Sequence, residues 1–115
     1  MNKVLYNITI SIDASVEKEW LKWMKDVHIP EVMQTGFFSE NRICRMQDDA
    51  EQGGLTYAVQ YVCNSMEDFQ DYQANYAPAL QAEHTQRYQG KFAAFRTVLE
   101  IIHEHPLPTF PISAN

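Results

Sequence analysis

Five side chains carry groups with chemistry to offer. His28 follows the run W-L-K-W-M-K-D-V and precedes Ile29-Pro30, at the joint where a helical pattern meets a proline. Imidazole is the one side chain whose unperturbed pKa lies near neutrality, so His28 there could act as acid or base, or orient a ligand at a cavity mouth. The competing reading is a helix-terminal histidine that satisfies loose backbone carbonyls. Asn7, Gln60 and Arg96 lie in three strand-like runs. If Ile8, Val59 and Leu99 face the helices, the opposite parity aims all three polar groups into one apolar interior, the make-up of a small-ligand site. Alternatively they hydrogen-bond one another or a second chain, since buried polar groups need partners in any case. His84 sits on a helical apolar stripe. His103-Glu104-His105 spaces two imidazoles two apart beside a proline-rich end, with no third ligand near in sequence, so solvent-exposed residues and no metal site are expected. No nucleophile elbow, phosphate loop or dinucleotide fingerprint occurs.

The elements that must position these groups follow from periodicity. Residues 3–13 alternate, with Val4, Tyr6, Ile8, Ile10 and Ile12 on one face, which reads as a strand. Ser15 is placed as an N-cap, and Val16, Trp20, Trp23, Met24 and Val27 form a helical stripe on which Trp23, like Tyr6 on the strand, reads as core. Pro30 predicts a break at His28-Ile29-Pro30, followed by a short turn that ends at Gly36. Residues 37–47 read as an edge strand, 48–54 as a Gly-Gly-terminated hairpin connection and 55–63 as the returning strand. Ser65 and Asp68 resemble a capping box. Two helices then meet at Ala77 and end at Gly90, with Met66, Phe69, Tyr76, Leu80, His84 and Tyr88 as the apolar stripe. Residues 91–102 read as the last strand, and Pro106, Pro108 and Pro111 mark 103–115 as an extended tail.

Composition narrows the function. A chain of 115 residues, 45% hydrophobic and 21% charged, is most simply one globular domain. A net charge of −6 with nine Lys and Arg in no run argues against a nucleic-acid partner. No segment is apolar for long enough to span a bilayer, and the chain enters an alternating pattern directly from Met1. Cys44 and Cys63 therefore read as reduced thiols of a cytoplasmic protein.

The order β-α-β-β-α-β is the ferredoxin-like α+β arrangement, one four-stranded antiparallel sheet with its helices on one side. The other face keeps Leu5, Ala58, Val62, Phe92, Ala94, Val98 and Ile102, too much apolar surface for water. A homodimer that buries it is expected. Over residues 1–102 the combination Y-N-I-T-I-S-I-D, H-I-P-E-V-M-Q-T-G, T-Y-A-V-Q-Y and F-A-A-F-R-T resembles a family of short bacterial proteins of unknown function. Through it the chain is similar to the dimeric α/β-barrel superfamily, whose members include cofactor-free monooxygenases, haem-degrading monooxygenases and muconolactone isomerase.

That resemblance implies the fold and the dimer more than a reaction. The expectation is a homodimer that binds a small aromatic or anionic molecule in the barrel, without a cofactor. Arg96 would recognise charge, Asn7 and Gln60 would orient the ligand, and His28 would serve as acid or base in an oxidation or isomerisation. A non-catalytic dimer with a filled barrel is the alternative. A third reading follows the haem degraders, with Asn7, Tyr72 and His84 near the places of their haem-site residues and His84 as iron ligand. There the aromatic residue would normally be tryptophan, and Pro78 interrupts the helix between Tyr72 and His84.

Overall fold

The period-two run forms β1 (Val4–Ile12) in the computed structural model, which describes residues 2–47 and 55–106. β1 pairs antiparallel with both β3 (Leu55–Cys63) and β4 (Phe92–Glu100), and β2 (Phe38–Arg45) pairs with the outer side of β3. The strand order is β2-β3-β1-β4, the four-stranded antiparallel sheet of the ferredoxin-like fold. The connection 48–54 and the tail residues 107–115 lie outside the described residues, while 101–106 leave the sheet without regular structure.

Directly opposed residues in an antiparallel pair share a face. Asn7 lies opposite Gln60 and Thr97, whereas Ile8 lies opposite Val59 and Arg96. The assignment of β1 and β3 therefore holds, and that of β4 is reversed. Phe92, Ala94 and Arg96 share the helix-side face with Ile8 and Val59, and Phe95, Thr97 and Leu99 share the open face with Asn7. The reason is local: β4 has apolar residues on both parities, so its alternation does not say which set faces the core, and a slip of one residue exchanges them all.

The first helical segment departs from expectation more instructively. A 3₁₀ turn (Ala14–Val16) is capped by Asp13 rather than Ser15, with Asp13 Oδ1 accepting from the Ser15 amide at 2.8 Å and hydroxyl at 2.6 Å. Next come α1 (Glu17–Trp23), a π-helical turn (Met24–His28) and α2 (Ile29–Gln34), with no break at Pro30. Proline lacks an N–H and its ring crowds the carbonyl four residues back. The wide turn, in which the Ile29 amide reaches Met24 O, accommodates it. The extra residue also rotates the buried face: Val27 is 40% exposed, while Ile29 and Val32 take the inward places after Trp20, Trp23 and Met24.

α3 (Met66–Asn75) starts at Ser65, whose Oγ accepts from the Asp68 amide at 3.1 Å, and α4 (Ala77–Arg87) starts with Pro78 in its first turn. The joint between them resets the phase of the stripe. Phe69, Tyr72, Ala77, His84 and Tyr88 are buried, and Met66 and Tyr76 are exposed. Both helical segments pack on the side of the sheet that carries Tyr6, Ile10, Tyr57, Val59 and Tyr61, forming one core centred on Trp20, which is fully buried. No helix among the described residues is long and apolar enough to cross a membrane.

The chain leaves α2 and α4 through Gly36 (φ 85°) and Gly90 (φ 79°), where an added Cβ would meet nothing within 4 Å. Alanine at either position should therefore destabilise through backbone strain alone, by about 1–2 kcal/mol. Equilibrium denaturation of Gly36→Ala, Gly90→Ala and the double variant should give two losses of that size that add, and an unchanged midpoint in either single variant would contradict the assigned turns.

Candidate functional site

Between the sheet and the helices lies a cavity with about 40 Å³ of free volume, or about 490 Å³ when its open mouth is counted. At roughly 10–15 Å³ per water, the enclosed part holds about three waters. β1 contributes Tyr6, Ile8 and Ile10 to its wall, and β4 contributes Phe92, Ala94 and Arg96. The helices close it with Met24, His28 and Val32 on one side and Tyr72, Leu80, Gln81 and His84 on the other. Most of this wall is apolar, and the polar groups converge from both sheet and helices.

His28 enters the cavity because the π turn swings it inward. Its ring stacks on Trp23, with centroids 4.9 Å apart and 21° between planes. Its Nδ1 is buried and has no hydrogen-bond partner among the described residues. Burial lowers its pKa, with the Glu83 carboxylate opposing, so the ring is neutral at pH 7.

His84 lies beside it, ring centroids 5.8 Å apart, with Phe92 edge-on at 4.5 Å. The Trp20 indole Nε1–H donates to His84 Nε2 at 2.9 Å. Burial first, then the charges of His28 and Arg96, press the His84 pKa down to about 4. Arg96 stands at the exposed mouth and forms no ion pair among the described residues. Burial raises the pKa of the Tyr6 hydroxyl, while Arg96 and Gln81 beside it pull the value back. Burial also raises Tyr72, aided by Tyr6 and opposed by Arg96. The site thus combines one unpaired cation, neutral phenols and two neutral imidazoles.

Of the residues singled out from sequence, His28, His84 and Arg96 meet here. Asn7 and Gln60 do not. They lie on the open face, where Gln60 Nε2 donates to Asn7 Oδ1 at 3.1 Å, Asn7 Nδ2 donates to Thr9 Oγ1 at 3.0 Å, and Arg42 Nε donates to Gln60 Oε1 at 2.8 Å. Their polar atoms satisfy one another, the alternative noted from sequence. Gln81 escaped notice, although it sits three residues before His84 and so shares its helix face. Trp20 stands on the helical stripe with no role assigned from sequence, although a buried indole N–H requires a partner.

The residues present do not fit a haem. Asn7 is on the other side of the sheet from Tyr72 and His84, and His84 Nε2 is already engaged by Trp20. Among the described residues no three metal-ligating side chains cluster. His103 and His105 have ring centroids 6.3 Å apart, and both are exposed.

Known proteins of this fold frame the site. A dimeric ferredoxin-like protein from an uncultured marine organism superposes with TM-score 0.68 at 11% identity, covering 91% of this chain and 99% of its own. SnoaB, a cofactor-independent oxygenase from Streptomyces nogalater, gives TM-score 0.61 at 12% identity, covering 94% and 99%. The haem degrader MhuD from Mycobacterium tuberculosis, with two haems bound in its active site, gives 0.63 at 21%, covering 90% and 99%. At such identities the likeness shows the fold. No curated protein matches the sequence. Residues 3–102 match the domain of unknown function DUF4286, and the chain belongs to that family.

Proposed function

We propose that the protein is a cytoplasmic homodimer that binds a small aromatic acid in the helix–sheet cavity of each protomer. Arg96 pairs the acid group at the mouth, and His28 takes a hydrogen bond or a proton from a ligand hydroxyl inside. The observation that carries this reading is a half-buried His28, its pKa lowered by burial, in the same apolar cavity as Arg96, which forms no ion pair among the described residues. An apolar chamber with a few convergent polar groups is the usual form of a small-molecule site. A neutral imidazole beside a phenolic or enolic O–H can accept its proton, leaving the electron-rich anion from which cofactor-free oxygenation or isomerisation starts. The likeness to a cofactor-independent oxygenase is compatible with that chemistry.

The dimer has separate support. Phe95 and Leu99 are 63% and 45% exposed on the helix-free face beside Leu5 and Ala58, and a neighbour of the same fold is described as dimeric. A second copy laid on this face would remove the patch from water. The small enclosed volume favours the rival reading, a non-catalytic dimer with a filled core, and ligand binding decides between them.

The test uses 2-hydroxybenzoate as the probe, its carboxylate for Arg96 and its hydroxyl for His28. Calorimetry should show binding to the wild type, weakened roughly tenfold to a hundredfold in Arg96→Ala, the size of a lost charge-assisted hydrogen bond. Asn7→Ala should bind as the wild type does. Absence of binding to the wild type, or its loss in Asn7→Ala with Arg96→Ala unaffected, would overturn the reading. For the dimer, light scattering at micromolar concentration should give the mass of two chains, falling to one in Phe95→Glu, and a wild type with the mass of a single chain would refute it.

A further inference from the structure

We infer that Trp20 is a positioning residue: it fixes His84 as the Nδ1–H tautomer, so His84 gives the cavity a hydrogen-bond donor and leaves His28 as its base. This rests on reading the cavity as a ligand site. It adds a division of labour between two imidazoles that otherwise look interchangeable.

An indole offers a single hydrogen-bonding group. Its N–H donates and never accepts. Trp20 is 0% exposed, so its N–H has no water to turn to, and it lies 2.9 Å from His84 Nε2. That nitrogen must present a lone pair. In a neutral ring the proton then sits on Nδ1. A second proton would set N–H against N–H inside the core, so the same contact also opposes the charged form, in the direction already imposed by burial, by the Arg96 guanidinium on β4 and by His28 on the π turn once that ring is protonated.

The rest of the ring is held as firmly. Phe92 stands edge-on to it at 4.5 Å, and Tyr88, on its own helix, lies at 5.5 Å. Its Nδ1 has no protein partner among the described residues and, unlike Nδ1 of His28, is not sealed from contact. The cavity therefore presents a donor on His84, and the His28 ring lies 5.8 Å away with Nδ1 sealed, so that Nε2 is the His28 nitrogen a ligand can reach. A single oxygen that accepts from one and donates to the other satisfies both. That selects a hydroxyl, as in a phenol or enol, over a bare carbonyl. The acid group of the same molecule belongs at Arg96.

Histidine tautomers and protonation are read directly by long-range ¹H–¹⁵N spectra of the ¹⁵N-labelled full chain without ligand, titrated downward from neutral pH. His84 should carry its proton on Nδ1 with Nε2 bare, and titrate well below its ordinary 6.5. In Trp20→Phe, which removes the indole N–H and keeps an aromatic ring, the Nε2–H form should gain population and the midpoint should rise by roughly one unit. A wild-type His84 protonated on Nε2, or an unchanged tautomer in Trp20→Phe, overturns the inference. Should Trp20→Phe not fold, the wild type decides alone: a ¹⁵N–¹⁵N coupling between Trp20 Nε1 and His84 Nε2 supports the lock, and an Nε2–H signal refutes it. Adding 2-hydroxybenzoate to the wild type should then move the His84 Nδ1–H resonance. A locked tautomer with no response to the probe would overturn the donor role and the binding reading together, while a responding ring with the wrong tautomer would overturn the role of Trp20 alone.

Discussion

The register between β1 and β4 governs what the helix-side cavity contains. Because Ile8 stands opposite Arg96 as well as Val59, the guanidinium shares a chamber with Tyr6, the buried His84 and the half-buried His28. Shifted by one residue, β4 would send Arg96 to the open face and Phe95 and Leu99 into the helices. The polar and apolar inventories of both faces would change together. The charge of the candidate site and the greasiness of the open face are thus two consequences of one pairing.

The π turn is the second structural choice on which the site depends. A regular helix through Met24–His28 would keep Val27 on the inward stripe and leave Pro30 crowding the carbonyl four residues back. The wider turn answers the proline and brings His28 over the cavity, stacked on Trp23. His28 then meets His84, whose other side is held by Trp20. A backbone accommodation forced by Pro30 and a buried indole that needs an acceptor together give a pair of neutral imidazoles with different hydrogen-bonding roles.

Much of the fold was legible because its signals are local. β1 and β3 alternate with β-branched and aromatic residues on one parity, Ser65 announces α3, Pro78 opens α4, and Gly36 and Gly90 end their helices. The site was legible only in part. His28, His84 and Arg96 were recognisable as chemically able, but their meeting depends on the face of β4, and F-A-A-F-R-T-V-L-E is apolar enough on both parities to leave that face undecided. Asn7 and Gln60 were placed on the helix-free face and lie there, on the other side of the sheet from the helix-side cavity. The π turn has no composition of its own. It results from a proline inside a helix that tertiary packing keeps continuous, and periodicity read four residues at a time misses a five-residue step.

The measurement that bears most directly on the account is a crystal structure of the full chain with 2-hydroxybenzoate. The probe should lie between sheet and helices, its carboxylate on Arg96 and its hydroxyl between His28 and His84. Density for the probe against Asn7 and Gln60 on the helix-free face, with the helix-side cavity unchanged, would contradict it.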